Sequence, residues 1–333
     1  MVDDLRPAGG YRGVLFIGDP HLEARQPGFR KDDYPTVILG KLQWSLDYAV
    51  EHRLLPALLG DVFDKPRDNA TWMMARLMDM LADVECIGIY GNHDCADPEL
   101  NDNDSLTLLF KAGRVRRVSA TRPWHGVMRG RPVVIGGSSY REPIPSEVPR
   151  SEGESGGAAR EAGAAEAPLG IWLSHHDVIA PGYEEQGRVR PREIAGADLV
   201  VNGHIHRELG EVQVGRTRWV TPGNISRRSR SDAAREHVPT VLRLDVVDTG
   251  YELIRVTVPH APLEEVFHPA VADEAVDTSA SAFVSGLAEL EARRTDEGAG
   301  LKQFLEQNLD QFEAPVAAEI RRLAQEVTGN GTG

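Results

Sequence analysis

Five short polar motifs constrain this chain most, because each begins where an apolar run of the sequence ends. Runs such as 13–18 and 54–59 are typical of short buried strands. In layered α/β folds the loops beyond the carboxyl ends of neighbouring strands meet at one crevice, so residues far apart in sequence lie together there. The sequence therefore predicts an α/β fold with one polar site, assembled from Gly18-Asp19-Pro20-His21, Gly60-Asp61-Val62-Phe63-Asp64, Gly91-Asn92-His93-Asp94, Ser174-His175-His176-Asp177 and Gly203-His204-Ile205-His206.

The polar side chains of these motifs are of the types that bind metal ions in proteins. Asp, Asn and His supply the oxygen and nitrogen atoms that suit Mn, Zn or Fe(II), and none of the motifs relies on a thiolate. Only two cysteines occur, Cys86 and Cys95, and we expect both to be free thiols without a ligand role. The pattern indicates a site for Lewis-acid hydrolysis rather than a structural zinc or iron–sulfur site.

The order and content of the five motifs resemble the calcineurin-like metallophosphoesterase superfamily. The pattern of that superfamily is Asp-x-His, Gly-Asp-x-x-Asp, Gly-Asn-His-Asp/Glu, a lone His and Gly-His-x-His, and this chain contains every element between residue 13 and about residue 225. The resemblance implies a two-sheet metallophosphoesterase sandwich flanked by helices. Helical spacing of apolar residues over 36–52 and 69–81, between the apolar runs, agrees with it.

The resemblance also implies a pair of divalent cations, with Mn expected and Zn, Fe or Mg as alternatives. Asp61 corresponds to the carboxylate that bridges the two ions. His93 corresponds to a histidine that is not a ligand but contacts the scissile phosphate, and it is the expected general acid. Carried over by motif, the ligands are Asp19, His21, Asp61 and His206 for the first ion and Asp61, Asn92, His175 and His204 for the second.

Two details of this set stay open in the sequence. Alternation along a strand points His175 and His176 to opposite faces, so that one of them faces the site, and His175 is preferred because it follows the apolar run and one spacer residue. Asp64 and Asp94 close the second and third motifs. We expect these two carboxylates to orient ligands rather than to bind metal.

Composition divides the chain into a catalytic domain, residues 1–258, and a linker with a helical tail, residues 259–333. Residues 142–168 are rich in Pro, Gly, Ser, Ala and Glu and predict a flexible insertion. The tail has apolar residues at helical spacing, interrupted at Gly298 and Pro315, and predicts a C-terminal helical appendage that docks on the catalytic domain or on another protein. The sequence shows neither a membrane-spanning stretch nor a signal peptide, so we expect a cytoplasmic protein.

Finer features of the sequence bear on the substrate. The sequence Phe63-Asp64-Lys65-Pro66 and the helical tail are similar to SbcD-type DNA repair nucleases, which implies DNA as the substrate and an SbcC-type coiled-coil ATPase as the partner. The net charge of −14 argues against a protein that binds nucleic acid unaided, although residues 261–333, with 14 acidic and 5 basic residues, carry −9 of it. The arginines that are candidates for contact with a phosphodiester backbone, with a solvated loop as the alternative, are Arg227, Arg228 and Arg230.

Two other functions are weighed against a nuclease. A stand-alone phosphodiesterase or phosphatase for a small nucleotide or a phosphorylated metabolite would use the same ligands without a protein partner. A scaffold with a vestigial site is disfavoured, because no ligand of the pattern is missing. The sequence does not fix the metal, the polarity of cleavage or the oligomeric state, whether monomer or homodimer.

Overall fold

The computed structural model describes most of the chain, namely residues 10–27, 30–148, 167–227 and 237–268 together with Arg322. The chain divides into two compact units, residues 1–268 and 269–333. The second unit lies outside the described residues apart from Arg322, so the helical appendage stays a prediction. The first unit contains all five motifs.

Twelve strands of the described residues form two six-stranded sheets. In chain order they are β1 (Gly13–Ile17), β2 (Leu54–Leu58), β3 (Ile87–Gly88), β4 (Arg116–Arg117), β5 (Trp124–Met128), β6 (Arg131–Ser138), β7 (Leu169–Ser174), β8 (Leu199–Asn202), β9 (Val212–Val214), β10 (Thr217–Val220), β11 (Thr240–Val247) and β12 (Gly250–Thr257). The first sheet has the order β12-β11-β1-β2-β3-β4, and the second has the order β5-β6-β7-β8-β10-β9. Strands β1 to β4 run parallel to one another, and so do β6, β7, β8 and β10.

Helices cover the outer face of the first sheet. The described α-helices are α1 (Tyr34–His52), α2 (Thr71–Met80), α3 (Ser105–Lys111) and α4 (Leu263–Val266). The first three each connect consecutive parallel strands, and crossovers of one hand place their helices on one face of a sheet. Ile38 of α1 and Met73 of α2 are buried in one cluster with Leu15 of β1. None of the helices in the described part of the chain has the length and apolarity that a membrane span requires.

The two faces of β1 contribute to different cores. Val14 and Phe16 join Ile171 in the core between the two sheets, whereas Leu15 and Ile17 pack with the helices. Because both faces are covered, the strand is a continuous apolar run, and burial of each such large side chain contributes about 1.5–3 kcal/mol. The predicted two-sheet sandwich flanked by helices is confirmed.

The first residues of the predicted insertion pack against the second sheet. Ile144 and Val148 are buried in a cluster with the tryptophan of β7. Burial of these two apolar side chains stabilises the packed position of a segment that is otherwise rich in Pro and Ser. This packing corrects the prediction of a flexible insertion over 142–168 for its first part, 142–148. Residues 149–166 lie outside the described residues.

The first compact unit ends at residue 268 rather than at the predicted boundary of 258. The backbone N–H of Lys31 donates to the carbonyl oxygen of Val266 at 2.8 Å. The guanidinium of Arg30 lies over the Phe267 ring, 5.1 Å from its centroid. These contacts attach the segment after β12 to the catalytic domain.

Candidate metal centre

The five motifs follow strands that lie side by side. Strands β1, β2 and β3 are parallel neighbours in the first sheet, and β7 and β8 are parallel neighbours in the second. Their carboxyl ends deliver the motif loops to one end of the sandwich. The structure brings together there all the predicted ligands and the predicted general acid: Asp19, His21, Asp61, Asn92, His93, His175, His204 and His206.

The backbone of the site adopts a conformation that is rare for residues with a side chain. Asp19, His21, Asp61 and His204 have φ angles of 38°, 47°, 47° and 71°, and they are half of the eight non-glycine residues with positive φ in the described chain. Such a conformation costs about 1–3 kcal/mol per residue and persists only where the surrounding structure imposes it. Backbone strain concentrated in four predicted ligands is typical of a functional site.

Glycines let the motif loops approach one another closely. Gly60 has a φ of 96°, and a Cβ at this position would lie 2.5 Å from His175 Nδ1. A Cβ at Gly91 would lie 2.1 Å from Asp61 Oδ1. Neither position accepts a larger residue without displacing a predicted ligand.

A first ligand group joins the loops after β1, β2 and β8. His21 Nε2 lies 2.8 Å from His206 Nε2 and 3.7 Å from Asp61 Oδ2. Asp19 Oδ2 is buried and has no hydrogen-bond partner among the described residues. A buried carboxylate oxygen without a partner is costly unless a cation neutralises it. The members of this group, which fit one divalent cation, are Asp19, His21, Asp61 and His206.

A second ligand group joins the loops after β2, β3, β7 and β8. His175 Nδ1 donates to the carbonyl oxygen of Leu59 at 2.7 Å. The other ring nitrogen, Nε2, therefore faces Asn92 Oδ1 at 3.2 Å and Asp61 Oδ2 at 3.4 Å. Two acceptor oxygens thus face this nitrogen, an arrangement that suits either a proton on the nitrogen or a cation between these atoms. The members of this group are Asp61, Asn92, His175 and His204.

Asp61 belongs to both groups. Its Oδ1 accepts a hydrogen bond from the His93 backbone N–H at 2.8 Å, which leaves Oδ2 to face His21 and His175. Burial alone would raise the pKa of Asp61, but the adjacent His175 and His93 outweigh it and hold that pKa well below the usual range. An ionised carboxylate that faces two sets of ligands fits a pair of divalent cations.

His93 lies beside these two groups without belonging to either. Its Nδ1 donates to the carbonyl oxygen of Asp64 at 2.8 Å. Its side chain is 19% exposed, whereas those of His21 and His175 are at most 1% exposed. The exposure suits a group that meets a substrate, and the role of general acid stays a prediction.

Asp64 and Asp94 hold the motif loops in place. Asp64 Oδ1 lies 3.5 Å from His21 Nδ1, on the side of the ring away from the first ligand group. The Asp94 carboxylate accepts hydrogen bonds from the backbone N–H groups of Phe63 and Gly91, at 3.1 and 2.9 Å. Burial and the nearby Asp61 charge raise the pKa of Asp94 to about 7. Asp64 thus contacts a predicted ligand, whereas Asp94 holds the backbone of the second and third motifs, and the expectation that these two carboxylates orient ligands rather than bind metal stays a prediction.

Of the two neighbouring histidines that follow β7, the structure places His175 in the site. His176 points the other way, with Nδ1 lying 3.0 Å from Ser174 Oγ and Nε2 lying 2.9 Å from the carbonyl oxygen of Glu142. Burial lowers the pKa of His176 to about 4, so its ring is neutral. The sequence left open which of the two histidines faces the site, and in the structure it is His175. His176 holds the loop at Glu142 against β7.

Of the three arginines predicted to contact the substrate, the structure describes Arg227. Arg227 is buried, and its guanidinium donates to the carbonyl oxygens of His237 at 2.8 Å and Ala261 at 3.4 Å. A guanidinium bonded to backbone carbonyls inside the domain does not bind a phosphodiester backbone, which corrects the prediction for Arg227. Arg228 and Arg230 lie outside the described residues.

One carboxylate at the site has no counterpart in the sequence prediction. Asp177 Oδ1 lies 3.0 Å from His204 Nε2. Asp177 ends the fourth motif, but the histidine that it contacts belongs to the fifth. In the sequence, Asp177 is marked only by its place next to His176. That place does not indicate a contact with a residue after β8.

Cation affinity should rise with pH, because two ligands hold protons in the metal-free site. Burial, reinforced by the Asp61 charge, raises the pKa of Asp19 to about 8. Burial alone would lower the pKa of His175, but Asp61 and Asp19 outweigh it and raise that pKa to about 9. Both groups must lose their protons to bind metal, so below these values protons compete with the cation.

Titration calorimetry with Mn²⁺ should therefore show tighter binding at about pH 9 than at about pH 6. Binding at the lower pH should release about one proton from each group, and binding at the higher pH should release fewer, because both groups are then partly deprotonated. Buffers that differ in ionisation enthalpy report the proton release directly. An affinity that does not change over this range would contradict the protonated state of the two ligands.

Comparison with solved structures finds Vps29 from Entamoeba histolytica. The wild-type protein complexed with Zn²⁺ is 16% identical, with 74% of this chain and 99% of that chain covered and a TM-score of 0.29. A single mutant of the same protein is 16% identical, with 73% and 98% covered and a TM-score of 0.27. At these TM-scores the likeness supports no conclusion about fold or function. Comparison with curated protein sequences finds no match.

A sequence profile described as calcineurin-like phosphoesterase matches residues 13–208. The match covers more than half of the 333 residues and includes all five motifs and every strand that delivers a ligand. The family consists of metal-dependent phosphoesterases, in agreement with the two ligand groups that share Asp61. The chain therefore belongs to the calcineurin-like phosphoesterase family.

Proposed function

We propose that this chain hydrolyses phosphodiesters with two divalent cations, and that Mn²⁺ is the working metal. The observation that supports this most is the position of Asp61 Oδ2, which lies 3.7 Å from His21 Nε2 of the first ligand group and 3.4 Å from His175 Nε2 of the second. Oxygen and imidazole ligands without a thiolate suit Mn²⁺. A cation pair lowers the pKa of bound water and stabilises the attacking and leaving oxygens of a phosphate ester.

The residues of the chain supply the proton for the leaving group. With Nδ1 of His93 bonded to the carbonyl oxygen of Asp64, a protonated ring presents its second N–H, on Nε2, to the substrate. That proton passes to the leaving oxygen as its bond to phosphorus breaks. The close packing of His21 against His93, with ring centroids 4.7 Å apart, keeps this ring beside the first ligand group.

DNA is the proposed substrate, and a coiled-coil ATPase of SbcC type is the proposed partner. This proposal is supported by the sequence Phe63-Asp64-Lys65-Pro66 after the second motif and by the apolar helical pattern of the acidic tail. A net charge of −14 gives the chain little affinity for a polyanion by itself, so a partner would have to supply most of the DNA affinity.

One observation favours the second candidate, a stand-alone phosphodiesterase for a small nucleotide or phosphorylated metabolite. The buried position of Arg227 removes one of the three cations that were expected to follow a DNA backbone. A small diester is short enough to bind at the two ligand groups without contact to cationic side chains farther away. The two candidates share the metal chemistry and differ in how far the substrate extends beyond it.

Cleavage of bis-p-nitrophenyl phosphate and of single- and double-stranded DNA by the purified chain with Mn²⁺ separates the candidates. We expect hydrolysis of the small diester, abolished by EDTA, and cleavage of DNA that rises when the coiled-coil ATPase and ATP are added. Hydrolysis of the small diester without any cleavage of DNA, with the ATPase present, would overturn the nuclease proposal and keep the phosphodiesterase. No metal-dependent hydrolysis of either substrate would overturn both.

A further inference from the structure

The ring of His204 is held from both sides. Its Nδ1 lies 2.9 Å from Asn92 Oδ1, inside the second ligand group, and its Nε2 lies 3.0 Å from Asp177 Oδ1, outside that group. An ionised carboxylate accepts hydrogen bonds and does not donate them. Asn92 Oδ1 is also an acceptor, so both ring nitrogens face oxygens that do not donate. A neutral ring that donates to Asp177 from Nε2 directs the lone pair of Nδ1 into the second ligand group, where a cation would bind.

The two histidines of the second ligand group are oriented by different means. His175 Nδ1 donates to the backbone carbonyl of Leu59, at 2.7 Å, and no side-chain substitution removes that acceptor. His204 has a side chain, Asp177, in the equivalent place. The orientation of one ligand therefore depends on the backbone, and that of the other depends on a residue that can be changed.

The loop that follows β7 fixes Asp177 itself. The backbone oxygen of Asp177 accepts hydrogen bonds from the N–H groups of Arg188 at 2.7 Å and Val189 at 2.8 Å, which close the loop. The hydroxyl of Tyr183, within the loop, donates to Asp177 Oδ1 at 3.2 Å. The carboxylate is thus held at both its backbone and its side chain before any metal binds, so a ligand that it orients is ordered in advance.

We propose that Asp177 is a positioning residue that holds His204 with Nδ1 directed at the second cation, and so sets the affinity of that cation. The inference rests on the proposed two-cation function. It adds that the affinity of the second cation depends on Asp177, whereas the affinity of the first does not. Of the two ligand groups, only the second contains His204, so the first cation keeps its four ligands when Asp177 is replaced. A carboxylate on the far nitrogen also makes an imidazole a stronger metal ligand.

Asp177→Ala should weaken binding of the second Mn²⁺ by about 10- to 100-fold and leave the first unchanged, which is the usual effect of removing the partner of a ligating histidine. Asp177→Asn keeps an oxygen that accepts a hydrogen bond from His204 Nε2 and should recover most of the lost affinity. Titration calorimetry of the full chain gives the two affinities. Electron paramagnetic resonance separates a coupled pair of Mn²⁺ ions from an isolated ion. Asp248→Ala is the matched control, since that carboxylate is 99% exposed.

The outcomes distinguish the inference from the function on which it rests. Two Mn²⁺ ions in the wild type, with equal affinities in wild type and Asp177→Ala, would overturn the inference and leave the two-cation function intact. Equal weakening of both cations in Asp177→Ala and Asp177→Asn would also overturn it, because Asp177 would then support the site as a whole. A wild type that binds a single Mn²⁺ would overturn the two-cation function and the inference with it. Circular dichroism of each metal-free variant checks that the fold is retained.

Discussion

Asp61→Asn should lower the rate of phosphodiester hydrolysis more than any other single ligand substitution. Asp61 is the one residue common to both ligand groups, and a neutral amide does not bridge two cations as a carboxylate does. A bound cation contributes several kcal/mol of transition-state stabilisation, and about 1.4 kcal/mol is worth tenfold, so the rate should fall about 10³-fold or more. Native mass spectrometry at saturating Mn²⁺ should show two ions per chain in the wild type and fewer in the variant.

The control for this substitution is the same chemical change at an exposed position. Asp248 is 99% exposed and lies 3.9 Å from Arg129, so Asp248→Asn should keep both ions and the full rate. A wild type with one ion per chain at saturating Mn²⁺, or an Asp61→Asn variant that retains two ions and full activity, would contradict the binuclear site.

The order of strands and motifs was predictable because the signal is local. The run from Gly13 to Ile17 is apolar throughout, and such a run is typical of a strand covered on both faces. Each motif that follows a strand of this kind is placed by the strand, so its position needs no knowledge of distant contacts. The ligand groups could therefore be assembled from the motifs once the strands were taken as parallel neighbours.

The positions of Arg227 and of residues 142–148 depend instead on contacts between distant segments. Arg227 belongs to a run of arginines that suggests an exposed surface, but its acceptors, the carbonyls of His237 and Ala261, lie 10 and 34 residues away in sequence. Ile144 and Val148 stand alone in a segment of low hydrophobicity, and the sheet that buries them is assembled from other parts of the chain. Local composition carries no information about either partner.

The contact between Asp177 and His204, inside the site, could not be predicted from local sequence either. Metal ligands are recognisable in a sequence because their residue types and spacings recur, but a residue that orients a ligand needs only an acceptor atom in the right place. Here the acceptor comes from the loop after β7 and the ligand from the loop after β8, so the pair exists only once the two strands lie side by side.

His93→Ala should keep both cations and lose catalysis. The His93 side chain belongs to neither ligand group, and the hydrogen bond that it gives to Asp61 Oδ1 comes from the backbone N–H, which alanine retains. Removal of a general acid lowers the rate by about 10²–10⁴-fold on a substrate with a poor leaving group. Metal content by mass spectrometry and the rate on an alkyl phosphodiester or DNA, measured on the same preparation, check the two halves of this expectation.

The leaving group tells a general acid from a residue that only shapes the site. Nitrophenolate leaves without protonation, so His93→Ala should lose much less activity on bis-p-nitrophenyl phosphate than on an alkyl phosphodiester. His125→Ala, a change of the same kind on the exposed face of β5, should leave both rates unchanged. Equal losses of His93→Ala on the two substrates would mean that His93 positions the substrate without giving it a proton. Loss of a cation from His93→Ala would mean that His93 is a metal ligand. The assignment of residues to the two ligand groups would then be wrong.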